Sequence, residues 1–177
     1  RSARRILVVQ QRSDLYLTPK GVPAAKIVWL PNGIDLALFP DPGTKPATER
    51  FTFMYFGAHG NGNGLENVLH AMRHVEASDP EGRFRLRLIG DGPLKPSLMA
   101  WAAEHNLKHV SFEPPIPKRD IPLLAAQADV LLFNVVDMPI LKYGISANKL
   151  FDYLAARRPV IFACNAVNNP VAEANAG

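Results

Sequence analysis

From Phe51 onward the chain alternates short apolar runs with amphipathic stretches, and that alternation constrains the fold more than any other feature. The apolar runs are Phe53-Met54-Tyr55-Phe56, residues 84–89, residues 109–112, residues 130–133 and Val160-Ile161-Phe162. Between them, helical periodicity places helices over residues 65–77, 95–105, 121–127 and 148–156. Five strands separated by helices call for a parallel sheet covered on both faces, with right-handed crossovers. The pattern predicts an α/β, Rossmann-like domain over residues 51–177. In such sheets ligands bind at the carboxyl ends of the strands, so function is read from the segments leaving each strand.

Upstream, Ile6-Leu7-Val8-Val9 and Ile27-Val28-Trp29-Leu30 are two further strand candidates. Residues 36–50 carry Pro40, Pro42, Gly43 and Pro46 and read as a Pro-rich loop. Three parts are expected: residues 1–35, the loop 36–50 and the domain 51–177. Arg1 is not a methionine, and the sequence stops at Gly177 where a helix would hand over to another strand, so a piece of a longer protein is expected.

Composition narrows the possible partners. With 177 residues, 47% of them hydrophobic, the chain can bury the core of one domain. A formal charge of +4 suits an anionic partner. The basic residues are scattered, with no run that alternates them with aromatics, so no nucleic acid is expected. Cys164 alone excludes an internal disulfide and fits a reducing, cytoplasmic setting; it closes an apolar run and reads as a small packed hydrophobe. The five histidines lack cysteine partners at metal-ligand spacing, His70 and His74 read as surface residues, and no metal is expected. No apolar run approaches the ~18 residues needed to span a bilayer.

The first strand exit holds Gly57, Gly60, Gly62 and Gly64 in eight residues, immediately before a helix. Glycines there let backbone approach a phosphate that faces the helix N-terminus, and a plain flexible loop is the competing reading. The spacing is not G-x-G-x-x-G, which argues against a dinucleotide cofactor. In the second exit, Asp91 is expected to tie a tight turn and Pro93 to open the next helix. The third, from Glu113 to Asp120, is stiffened by Pro114, Pro115 and Pro117 and ends on Asp120 as an N-cap. It suits a wall for a flat base or an ordinary connection equally. The fourth, residues 134–146, is long for a crossover and contains Asp137, Lys142 and Tyr143.

That last connection runs through Gly144, Ser146 and Ala147 into a helix starting at Asn148, which reads as a phosphate-binding turn. Lys149 adds positive charge in the first turn. Asp152 follows three residues later, beside the apolar stripe of Leu150, Phe151 and Leu154. A carboxylate at that edge needs a polar partner, and ribose hydroxyls would serve. The competing reading is a surface carboxylate paired with Lys149 or Arg157.

The ordered set Leu30-Pro31-Asn32-Gly33-Ile34-Asp35, the glycine loop, Leu88-Ile89-Gly90-Asp91-Gly92-Pro93, Ala128-Asp129-Val130 and Lys149-Leu150-Phe151-Asp152-Tyr153-Leu154-Ala155-Ala156-Arg157-Arg158-Pro159-Val160-Ile161 resembles the family-4 retaining glycosyltransferases. It is most similar to the bacterial branch that builds lipopolysaccharide and surface polysaccharide. The resemblance implies half of a GT-B fold: the donor-binding domain, preceded by the end of the N-terminal domain. It implies sugar transfer, with retention, from a UDP- or GDP-linked donor to a saccharide or lipid-linked saccharide held by the other domain. No cofactor or metal is implied, and peripheral contact of the longer protein with the inner membrane is.

By position, Asp152 matches the second of two family glutamates, the one that holds the ribose. The glycine loop, Pro114, Tyr143, Gly144 and the segment Ser146, Ala147, Asn148, Lys149, Leu150 stand as donor-contacting candidates. Two departures follow. Gly144 occupies the place of the first glutamate, with Asp137 as its displaced candidate. The Arg and Lys that usually follow the glycine-loop strand are replaced by Ala58, His59 and Asn63, leaving Lys149 as the candidate cation for the diphosphate. A nucleotide-sugar epimerase of the same fold and a non-catalytic nucleotide-sugar binding module are the alternatives.

Overall fold

The computed structural model describes residues 3–41 and 49–177; residues 42–48 of the Pro-rich loop lie outside the described residues. Two short strands near the start, β1 (Ile6–Val8) and β2 (Ile27–Trp29), pair in parallel with Ile6 opposite Ile27. A single helical turn, α1 (Asp14–Leu17), lies between them.

The alternating pattern after Phe51 folds as β3 (Phe51–Phe56), α2 (Leu65–Ser78), β4 (Phe84–Ile89), α3 (Lys95–Glu104), β5 (Val110–Glu113), α4 (Ile121–Ala125), β6 (Val130–Asn134), α5 (Asn148–Ala155), β7 (Val160–Ala163) and α6 (Pro170–Glu173). The five strands form one parallel sheet in the order β5-β4-β3-β6-β7. The expected α/β class holds, and the element limits differ from expectation by one or two residues.

Side-chain alternation along the strands sorts the core into two layers, because successive residues of a strand face opposite ways. Tyr55, Leu86 and Leu88 face α2 and α3, where Leu65, Leu69, Met72 and Leu98 cover them. Met54, Phe56, Leu131, Phe133 and Val160 face the other way, onto Leu124 and Ala125 of α4, Leu150 and Tyr153 of α5, and Val171 of α6. Phe39, just before the undescribed loop residues, is buried in that second layer.

The strand order places the site. The chain winds outward from β3 to β5, then returns through α4 to lay β6 against the other side of β3. That reversal opens a crevice at the carboxyl ends of β3 and β6, where a parallel sheet offers room for a ligand. Two expectations for helix starts are corrected. α3 begins at Lys95 after Leu94, with Pro96 in its first turn, so Pro93 belongs to the preceding turn. Asp120 occupies the position before α4 but makes no capping hydrogen bond: a 3₁₀ turn over Lys118–Asp120 gives it helical backbone angles (φ −94°, ψ −8°) instead of the extended ones a cap needs.

The layering makes neighbouring strands unequal to truncation. Leu131→Ala empties a fully buried site and should destabilise the chain by about 2–5 kcal/mol. Ile161→Ala on the edge strand, 49% exposed, should change stability by under about 1 kcal/mol. Urea unfolding followed by circular dichroism measures both, and equal losses would contradict the assigned faces.

Candidate functional site

The exits of β3 and β4 are pressed together. A β-carbon on Gly90 would lie 1.9 Å from the carbonyl oxygen of Gly57, and one on Gly92 would lie 2.5 Å from that of His59. Only glycine fits at either place, and both have positive φ (142° and 155°). The two turns are then stitched by backbone: Gly57 N–H donates to Ile89 O, His59 N–H to Asp91 O, and Leu94 N–H to His59 O. Asp91 ties its turn as expected, accepting from Gly92 N–H at 2.8 Å. Lys95 Nζ donates to Gly90 O and Glu113 O, which fixes the β5 exit to the β4 exit. Glu113 itself is held by a two-pronged bond from Arg87.

Above these exits lies a cavity of about 340 Å³, lined by Phe56, Gly57, Ala58, Ile89, Gly90, Asp91, Pro115, Ile116, Ile121, Lys149 and Asp152. Its apolar side is the Ile89, Pro115, Ile116 and Ile121 surface, and its polar side comes from α5. Both charged residues singled out on that helix reach it.

Asp152 is 4% exposed, and its Oδ1 has no hydrogen-bond partner among the described residues. It pairs with neither Lys149 nor Arg157. The nearest cation is Lys118, from the β5 exit, at 3.4 Å; Arg157 turns instead to Asp41 at 3.2 Å. Burial pushes the Asp152 carboxyl above its ordinary pKa, and Lys118 opposes that.

Lys149 Nζ lies over the rings of Tyr55 and Phe133, 4.6 and 5.4 Å from their centroids. It donates to Tyr55 Oη at 3.1 Å and to Asn63 Oδ1. Burial lowers its pKa from 10.5 to about 8. The same crowding explains Gly57, where a β-carbon would stand 3.1 Å from Tyr55 Oη and 3.5 Å from Lys149 Cδ.

The remaining candidates fall elsewhere. Pro114 stands off the cavity, which Pro115 and Ile116 line instead. Gly60 leaves open space around it, Gly62 O accepts from Val136 N–H, and Gly64 O accepts from the Asn134 side chain, so these three shape the loop. Leu150 is core. Ala147 and Asn148 form the start of α5, where no side chain caps the helix; Leu150 N–H bonds back to Ala147 O, and the N–H groups of Asn148 and Lys149 precede any intrahelical acceptor.

The turn before α5 is committed to the N-terminal segment. Tyr143 O accepts from Arg12 N–H and its ring meets Tyr16 edge-on, while Ser146 O accepts from the Asn32 amide. A β-carbon on Gly144 would meet Asn168 Oδ1 at 3.0 Å. Asp137 is exposed and borders a separate cavity of about 490 Å³ with Lys142, Asn165 and Val167. Sequence reading missed Tyr55, Asn63 and Lys118, which meet α5 across 86 or more residues for the first two and have no local signature.

A family model described as "Glycosyl transferases group 1" matches residues 50–176. The chain belongs to the group 1 glycosyl transferases. No curated protein matches it in sequence. Among solved structures, this group 1 domain is similar to WaaG, a glycosyltransferase involved in lipopolysaccharide biosynthesis (TM-score 0.75, 17% identity, 97% of this chain and 47% of that one). It is also similar to Anabaena Alr3699/HepE in complex with UDP and glucose (TM-score 0.70, 17% identity, 93% and 45%). A third likeness is to S. aureus TarM with UDP (TM-score 0.69, 11% identity, 96% and 31%). At these identities the likeness is one of fold: the parallel sheet matches a domain of GT-B glycosyltransferases. The chain spans less than half the length of each of these structures.

One buried group at the β3 exit ties the site to pH. His59 is fully buried between Tyr55 and Phe112, and neither ring nitrogen has a hydrogen-bond partner among the described residues. Burial lowers its pKa, Lys95 lowers it further, and Asp91 opposes them. The folded state therefore binds a proton less readily than the unfolded one. The neutral ring's contribution to stability is intact above the unfolded value of about 6.5 and is lost as pH falls below it. Urea midpoints should drop between about pH 7 and about pH 5, and His59→Phe should flatten that drop.

Proposed function

We propose that this group 1 domain binds the nucleotide diphosphate sugar donor of a retaining, family-4 type glycosyltransferase, one that builds bacterial surface polysaccharide or lipopolysaccharide. The observation that carries this reading is the convergence on one cavity of an unsatisfied buried carboxylate oxygen, on Asp152, and a buried ammonium, on Lys149. A carboxylate is an acceptor, suited to a ribose diol. An ammonium near a helix N-terminus suits a diphosphate. The apolar wall of Ile89, Pro115, Ile116 and Ile121 suits a planar base between them.

In the reaction, the bond from the anomeric carbon to the diphosphate oxygen breaks and the electron pair leaves with the diphosphate. Sugar charge develops as an oxocarbenium ion. Lys149 and the first-turn N–H groups of α5 sit where leaving-group charge grows, and such fixed donors lower the barrier without reorganising. The acceptor, a saccharide or lipid-linked saccharide, takes the sugar with its configuration retained; the part of the longer protein that holds it is outside this chain. A UDP donor is in keeping with the neighbours solved with UDP.

Titration calorimetry with UDP and GDP tests the binding. Lys149→Ala and Asp152→Asn should each weaken nucleotide diphosphate binding by about tenfold to a hundredfold, the size of one lost charge-assisted bond. Affinity should be full below pH 8 and fall as pH rises through about 8, where Lys149 loses its proton. Wild-type affinity in both variants would overturn the reading.

A further inference from the structure

Lys149 is not a free-swinging cation. Tyr55 Oη donates its proton to Ala58 O at 2.7 Å, and Asn63 Nδ2 donates to the same carbonyl at 2.9 Å. With their donors engaged on one backbone oxygen, the phenol and the amide turn their acceptors toward Lys149, which donates one N–H to each. An ammonium has three N–H groups. Two are held, and the third has no partner among the described residues while the side chain lines the cavity. Tyr55 is fully buried and its pKa is pushed up by burial, so it keeps the proton that Ala58 O receives.

We propose that Tyr55 and Asn63, oriented together by the Ala58 carbonyl, are positioning residues that hold Lys149 as a charged tripod with one N–H aimed at the donor diphosphate. The proposal rests on the reading of Lys149 as the diphosphate cation. Neither residue touches the substrate; both act through Lys149. In water the three N–H groups of an ammonium are exchangeable and its stem is flexible, whereas here two acceptors and two ring faces fix it before the ligand arrives. The same two acceptors favour the charged form of an ammonium that burial disfavours.

This gives the role a signature in pH. Of the charged or titratable groups around Lys149, Asp91 from the β4 exit and Asp152 on α5 line the cavity with it, Tyr55 of β3 bonds it, His59 lies against Tyr55, and Lys118 before α4 pairs with Asp152. Of these, only Tyr55 bonds Lys149 directly. Removing an acceptor disfavours the charged form of Lys149, and placing a carboxylate at residue 63 favours it.

The test is UDP affinity by calorimetry from about pH 6.5 to about pH 9.5, for wild type, Lys149→Ala, Tyr55→Phe, Asn63→Ala and Asn63→Asp. The expected result has three parts. Tyr55→Phe and Asn63→Ala each weaken UDP binding about three- to tenfold near neutral pH and move the alkaline loss of affinity to lower pH. Asn63→Asp moves that loss to higher pH while weakening binding below it, because the new carboxylate competes with the diphosphate for the same ammonium. Lys149→Ala abolishes the alkaline loss altogether.

Equal weakening at every pH, with the alkaline midpoint unmoved in the two Asn63 variants, would mean that these residues only shape the loop, and the proposal fails. Thermal melts identify a variant that does not fold; Asn63→Asp, nearly isosteric and in a loop, keeps the opposite-direction comparison available. If Lys149→Ala binds UDP as wild type does, the functional reading itself falls, a result distinct from an unmoved midpoint.

Discussion

The closeness of two backbone turns governs everything above the sheet. With 1.9 Å between the carbonyl oxygen of Gly57 and the place where a Gly90 β-carbon would stand, the exits of β3 and β4 can touch only through bare backbone. That contact lets Gly57, His59 and Leu94 bond across the turns. It also bends the β3 exit so that the Ala58 carbonyl points back at Tyr55 and Asn63, the pair that grips Lys149. Any side chain at residue 90 would separate the exits, and the effect would reach α5 through this chain of bonds.

The fold was legible because its signal is local and repeated. Alternating apolar runs and amphipathic stretches fix a parallel sheet whatever the details of packing. Gly57, Lys149 and Asp152 were legible too, for they lie on strand exits and a helix first turn, where position along the chain implies position in the crevice. The partners of those residues were not. Lys118 reaches Asp152 because the proline-stiffened β5 exit bends over the cavity, and Asn63 reaches Lys149 because β3 and β6 are neighbours. Nothing in the local sequence around either residue states those meetings.

The same reasoning explains the residues that sequence reading gathered too generously. Tyr143, Gly144 and Ser146 look like a phosphate turn because they precede a helix with small residues and a cation. Tyr143 O is taken up by Arg12, Gly144 N–H by Leu141 O, Ser146 O by Asn32, and the backbone of Ile145 between them by Asn168. A turn of that kind offers its backbone to whichever partner the tertiary structure supplies, and here the N-terminal segment supplies it over a separation of 114 residues at Asn32. Pro114 and Pro115 illustrate a finer limit: at a strand exit the chain direction decides which of two adjacent residues faces the cavity.

Lys149 and Asp152, three residues apart on one helix, carry opposite charges and yet do not pair. Direct pairing would satisfy both groups and leave the cavity with little to offer. Each is held apart by other partners: the ammonium by a phenol and an amide that are neutral, the carboxylate by a single, largely exposed lysine at 3.4 Å. Neutral acceptors fix the ammonium without cancelling its charge, and the lone solvent-facing cation stands 3.4 Å from Asp152 Oδ1 without a hydrogen bond that satisfies it. A buried unsatisfied polar atom costs about 1–3 kcal/mol, so the empty site is the less stable one. A ligand bringing a hydroxyl donor to that oxygen would recover that energy, and one that also carried negative charge would meet the uncancelled ammonium three residues away.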